Sequence, residues 1–66
     1  MKEIRVTGVD SILEALQEGR LLYNVEDNRK YWLYNGVILS RQYDDEDGAV
    51  IINSSMDSNK EYWYYG

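Results

Sequence analysis

Asp44-Asp45-Glu46-Asp47, closed by Gly48, is the densest group of ionisable side chains in the chain. Such a run can ligate calcium, occupy a basic groove on another protein, or hold a hairpin tip in solvent. A calcium loop of the EF-hand kind needs ligands at alternate positions, glycine at the sixth and a glutamate at the twelfth. Here the glycine comes fifth, and Asn53 and Ser54 follow where the closing carboxylate is needed. No metal site is expected. The second use stays open, because carboxylates spaced along a surface imitate phosphates and draw a basic partner; Glu14, Glu18, Glu26 and Asp27 extend the supply. So does the third, a solvated tip that keeps neighbouring chains apart.

Catalysis asks for more than acids. Paired carboxylates do acid–base work when an enclosed site raises one pKa, and these acids fall in turns or on a polar helix face. The chain has no His and no Cys. Ser11, Ser40, Ser54, Ser55 and Ser58 therefore lack an imidazole to activate a hydroxyl, and none sits in a Gly-x-Ser-x-Gly elbow. No Gly-rich phosphate loop occurs. The expectation is a non-enzymatic protein without a cofactor.

The aromatic residues carry the remaining signal. Seven Tyr and two Trp accompany no Phe at all. A closed core would use some Phe, whereas Tyr and Trp suit surfaces that are half wet or that meet a partner. Tyr43, Tyr62, Tyr64 and Tyr65, with Asp44, Asp45, Glu46 and Asp47, make the candidate partner-binding set. Trp32, Trp63 and Tyr31 can stack on a planar ring, with Arg20 or Arg41 at its phosphates; these five are the candidate ligand set. Arg29 and Lys30 lie near the far end of the same hairpin as Arg41. Lys and Arg total 7 against 12 Asp and Glu, a net charge of −5. That balance argues against direct nucleic-acid binding, which needs a basic face.

These residues need elements to hold them. Val9, Ile12, Leu13 and Leu16 fall at i, i+3, i+4 and i+7, the apolar stripe of a helix, over about residues 8–18. Thr7, or Ser11 with Glu14, offers its N-cap, and Gly19 sits where a helix ends in left-handed geometry. Lys2–Val6 alternates and reads as an edge strand or an ordered lead-in. Leu21–Tyr23, Lys30–Tyr34, Val37–Tyr43, Ala49–Asn53 and Glu61–Tyr65 read as strands. Asn35-Gly36 between two of them is a strong hairpin signal, since both central residues of a type I′ turn need positive φ. The fold class expected is α+β, one N-terminal helix packed on a small antiparallel sheet of about four to five strands. Residues 1–66 form a single domain.

A two-residue hairpin fixes register. Tyr34 faces Val37, Leu33 faces Ile38, Trp32 faces Leu39 and Tyr31 faces Ser40. One sheet face then carries Trp32, Tyr34, Val37 and Leu39, the other Tyr31, Leu33 and Ile38. Both are apolar, and one short helix covers only one of them. A domain this small buries only about 60% of the surface its unfolded chain exposes, and no disulfide is available to help. A homo-oligomer, a dimer or higher, is the expectation. No apolar run approaches the roughly 18 residues of a membrane span, so no membrane association is expected and the cytoplasm is the default compartment.

The order Ile12-Leu-Glu-Ala-Leu-Gln-Glu-Gly-Arg20, a strand-Asn35-Gly36-strand hairpin and a closing Glu61-Tyr-Trp-Tyr resembles a group of small phage proteins from Gram-positive hosts. The Thoeris anti-defence proteins, which act as cyclic-nucleotide sponges, look like relatives of that group. The resemblance implies an oligomeric α+β protein in the host cell cytoplasm that counters bacterial immunity without catalysis. It implies either a host defence protein as partner or a nucleotide ligand. Gly19 is followed here by Arg20-Leu-Leu-Tyr-Asn24, where that group commonly has a basic stretch and a Trp.

Overall fold

The computed structural model describes residues 2–66. The chain runs β1 (Glu3–Val6), α1 (Val9–Gln17), β2 (Leu22–Asn24), β3 (Arg29–Tyr34), β4 (Val37–Gln42), β5 (Ile51–Ile52) and β6 (Tyr62–Tyr65). The strands form one antiparallel sheet in the order β1-β6-β2-β3-β4-β5. The fold is α+β, with six strands rather than four to five. Of the two readings open for Lys2–Val6, the edge strand holds, over Glu3–Val6, because the C-terminal Tyr62–Tyr65 pairs along all of it. At the other edge the strand expected over Ala49–Asn53 contracts to Ile51–Ile52. Asn53 turns out of the ladder with φ 61°, and the Ser54 N–H bonds back to the Ile38 carbonyl at 2.9 Å.

Local chemistry sets the ends of α1. Neither Thr7 nor Ser11 caps it. Gly8 holds the N-cap position at φ 86°, ψ 150°, and no side chain bonds the first turn. That backbone is open to glycine and strained for a residue with a Cβ, so the chain enters the helix one residue past the expected hydroxyl cap. The C-terminus behaves as expected. Gly19 adopts φ 85°, with Gly19 N–H to Leu16 C=O at 3.0 Å and Arg20 N–H to Ala15 C=O at 3.1 Å. These are the paired bonds of a Schellman stop.

The β3–β4 hairpin has the register read from the sequence, Tyr34↔Val37 through Tyr31↔Ser40, and continues to Arg29↔Gln42. Asn35 and Gly36 take φ 50° and 76°, as a type I′ turn requires. The core lies between α1 and one face of the sheet. Ile12, Ala15 and Leu16 of the helix pack with Val6, Leu22, Tyr31 and Tyr62, flanked by Leu33, Ile38, Met56 and Tyr64. Burying Leu16 and Leu22, at 2% and 0% exposure, contributes about 1.5–3 kcal/mol each.

A buried amide ties the strands together. Asn24 is 1% exposed. Its Nδ2 donates to the Glu61 carbonyl at 2.9 Å, and its Oδ1 accepts from the N–H groups of Glu26 and Asp27 at 2.8 and 3.1 Å. One side chain thus shapes the β2–β3 turn and anchors the approach to β6. Behind it, Arg29 donates from Nε and Nη2 to Ser40 Oγ at 3.3 and 3.1 Å, and Ser40 meets Ser54 Oγ at 2.6 Å.

Candidate functional site

Alternation along each strand sends every second side chain to the face that α1 does not cover. Register lines these up across five strands. Arg5 of β1 faces Trp63 of β6, Trp63 faces Tyr23 of β2, Tyr23 faces Lys30 of β3, and Lys30 faces Arg41 of β4. The outer face therefore carries a single row of two aromatic rings between three cations. On one side of that row lies an apolar strip, Trp32–Leu39–Ile52 and then Tyr34–Val37. Tyr34 and Ile52 are 62% and 68% exposed. On the other side lies a tyrosine cluster. Tyr23 stacks on Tyr65 at 5.7 Å between ring centroids and tilts against Tyr43 at 5.0 Å.

The polar tips of this face are not free. The Tyr23 hydroxyl donates to the Glu3 carboxylate. That bond, and then the Tyr65 hydroxyl, push the Tyr23 phenol well above its ordinary pKa. Tyr43 is raised too, first by loss of solvent and then by Tyr65. Arg5 pairs with Glu61 at 3.2 Å, both about half exposed, an arrangement of the kind that adds about 0–1 kcal/mol.

The acidic turn folds back onto the sheet. Glu46 Oε1 accepts from Lys30 Nζ at 2.9 Å. That bond and the Lys30 charge hold the Glu46 carboxyl below the usual carboxylate range, with a further pull from Arg41. Asp45 shapes its own turn, accepting from the N–H of Asp47 at 3.1 Å. The Asn28 amide reaches Asp44 from the neighbouring turn at 3.4 Å. So the run is neither a loose tip nor a set of four free carboxylates, because one of the four is the counter-ion of a sheet lysine. Among the described residues no three metal-ligating side chains converge, and no helix is long and apolar enough to cross a membrane.

No family model matches this chain, and no curated protein and no solved structure matches it. Its site is read from its own geometry.

That geometry divides the residues singled out from sequence. Tyr43, Tyr65 and the Asp44–Asp47 turn meet at one end of the outer face. Trp32, Trp63 and Arg41 lie along it. Tyr62 does not: it is 1% exposed in the core, where its oxygen accepts from the Asp57 N–H at 3.0 Å. Tyr31 is likewise a core residue, set edge-on to Tyr62 at 5.6 Å with its hydroxyl donating to Asp27. Both belong to inward positions of their strands, so neither offers a contact surface. Tyr64 also faces inward, and the Arg20 guanidinium lies 4.8 Å from its ring centroid. Arg20 is occupied there, away from Trp32 and Arg41. Arg29 points inward to Ser40, while its neighbour Lys30 points outward. Tyr23 was not among the candidates; nothing in the sequence states that β2 sits between β3 and β6.

Proposed function

We propose that this chain is a non-catalytic protein that acts by binding another protein through the outer face of its sheet. The observation that carries the reading is the uncovered face. One nine-residue helix closes one side of a six-stranded sheet, and the other side holds Trp32, Tyr34, Leu39, Ile52, Trp63 and the tyrosine cluster. Aromatic residues grouped at the centre of a surface are the usual anchors of protein interfaces.

The resemblance to small phage anti-defence proteins supplies the setting, in which the partner is a bacterial defence protein and binding blocks it. The net charge of −5 steers the chain toward a partner with a basic rim. The acidic turn stands at the border of the outer face, whereas Glu14 and Glu18 lie on the helix, on the opposite side of the sheet. The turn shares its face with the aromatic strip, as does Glu3 through its bond from Tyr23.

The test is expression of the chain in bacteria carrying single defence systems, followed by phage challenge and co-purification. Restored plaquing with one system, together with a complex containing its protein component, supports the reading. No restored plaquing with any system, or restoration with no complex, counts against it.

The strip Tyr34–Val37 and Trp32–Leu39–Ile52, exposed at Tyr34 and Ile52 and half-buried between them, also favours a second reading, pairing of two copies through this face. Light scattering separates the two, because self-association gives a dimer mass without any partner.

A further inference from the structure

The two edges of the sheet are finished differently. β5 is two residues long, and Asn53 at φ 61° ends it. β1 runs four residues, Glu3–Val6, with β6 on one side and no strand on the other. Lys2 and Gly66 exchange both backbone bonds, Gly66 N–H to Lys2 C=O at 2.8 Å and Lys2 N–H to Gly66 C=O at 3.4 Å. Antiparallel ladders alternate, so Ile4 and Val6 also turn their backbone groups toward β6, to Tyr64 and Tyr62. The N–H and C=O of Glu3 and Arg5 therefore point away from the sheet, with no partner among the described residues. An open row of this kind is a template for a further strand. Neither a proline nor a break in register guards it.

The surface beside the edge selects the strand. Between β1 and α1, on the inner face, lies an open cavity of about 260 Å³ lined by Ile4, Val6, Ser11, Glu14, Ala15 and Glu18. Ile4, Val6 and Ala15 supply apolar surface, and Glu14 and Glu18 supply negative charge. Glu14 has no ion-pair partner among the described residues, and Glu18 has only Arg20 at 3.7 Å. A lysine or arginine suits both chemistries, because its stem lies on apolar surface while its head stays with the charge. A second copy of this chain fits less well. Pairing β1 with β1 about a two-fold axis sets Glu3 against Arg5, but it gathers Glu14 and Glu18 of both helices on one side of the seam.

We propose that the free edge of β1 takes up an extended, basic segment of a partner protein as a seventh strand, with a lysine or arginine opposite Ile4 entering the cavity beside Glu14 and Glu18. This site is independent of the outer-face reading, since the contacts it needs are the β1 backbone and the helix side of the sheet.

The experiment titrates the full chain into a fluorescein-labelled peptide of alternating lysine and threonine, read by anisotropy at physiological salt, with amide exchange followed by NMR. The expected result is saturable binding that protects the Glu3 and Arg5 amides. A peptide of alternating glutamate and threonine does not bind. N-methylating the threonines of the basic peptide, whose N–H groups face the Glu3 and Arg5 carbonyls, abolishes binding. Arg5→Pro abolishes it too, because it deletes an outward N–H that the β1–β6 ladder does not use, while Arg5→Ala keeps it. Glu14→Gln with Glu18→Gln should weaken binding by roughly two- to thirtyfold, the range of two exposed ion pairs, and Asp45→Asn with Asp47→Asn should leave it unchanged. Circular dichroism checks the fold of Arg5→Pro, and the N-methylated peptide tests the same contact without altering the chain. No saturable binding, or binding that the N-methylated peptide retains, overturns the proposal. Undiminished binding in the Glu14→Gln, Glu18→Gln variant overturns the part given to the cavity. A dimer that forms without peptide and that Arg5→Pro dissociates, together with no peptide binding, assigns the edge to a second copy and overturns the proposal as well.

Discussion

Replacing Asn24 by Ala removes more stability than the size of the side chain suggests. Asn24 makes three hydrogen bonds from a position 1% exposed. Each contributes about 0.5–1.5 kcal/mol net, and an acceptor left buried without a partner costs about 1–3 kcal/mol. The Glu26 and Asp27 amides lie at a turn that water can reach, so their loss sits near the low end. The Glu61 carbonyl and the shape of the β2–β3 turn carry the rest. The sum is about 2–4 kcal/mol, against a total stability of roughly 3–10 kcal/mol for a domain of this length. Urea denaturation followed by Trp fluorescence measures it. Asn24→Asp is the informative companion: it keeps both turn bonds, loses the donation to Glu61, and sets a carboxylate against a carbonyl. It should be destabilised as well, with the β2–β3 turn intact by amide exchange. If Asn24→Ala unfolds at the wild-type urea midpoint, this amide does not tie the strands together.

Other expectations follow from the same geometry. Gly36→Ala places a Cβ at φ 76° and should cost about 1–2 kcal/mol, read as a lowered melting temperature; Asn35→Gly should cost far less. Leu16→Ala in the core should cost about 2–5 kcal/mol, measured by the same denaturation. Burial raises the Tyr31 phenol, helped by its bond to Asp27, and burial also raises Tyr62. Their folded pKa values lie above the unfolded value of about 10. The stability they contribute is therefore complete below about pH 10 and is lost as pH rises toward the folded values. Thermal melts across the alkaline range should show that loss, and Tyr31→Phe should reduce it. Glu46 is shifted the other way by Lys30 and then Arg41. Its pairing with Lys30 holds above the ordinary carboxylate pKa and fails as pH falls through its own lower value, which carboxylate chemical shifts will report.

How far the sequence predicts this molecule depends on the range of the interaction. Local chemistry was legible. The i, i+3, i+4, i+7 stripe gave the helix, Gly19 its end, and Asn35-Gly36 both the turn and the register of the longest hairpin. The two apolar faces of β3–β4 followed from that register alone. What escaped was set by pairings distant in the chain. The alternation of Lys2–Val6 left an edge strand and a lead-in both open, and only the return of residues 62–65 decides for the strand. The Arg5–Trp63–Tyr23–Lys30–Arg41 row is assembled from five strands, so Tyr23 had no signal of its own. Tyr31 and Tyr62 show the limit of composition. A tyrosine reads as a surface aromatic, yet a hydroxyl with a partner, Asp27 for one and the Asp57 amide for the other, lets the ring enter the core. Glu46 shows the limit of counting charges, since one carboxylate in a run of four is bound to the sheet and the sequence does not say which.

We propose that the outer face of the sheet is the working surface. Its most direct test compares two pairs of exposed apolar residues in the plaquing assay, Tyr34→Ser with Ile52→Ser on the outer face, and Val9→Ser with Leu13→Ser along the helix. All four side chains are at least 45% exposed, so both double variants should fold, which melting curves verify. Removing interface anchors typically costs about 2 kcal/mol or more, roughly thirtyfold in affinity. If the outer face binds the partner, the outer-face pair abolishes inhibition of the defence system while the helix pair retains it. Inhibition that survives the outer-face pair and is lost with the helix pair would contradict it.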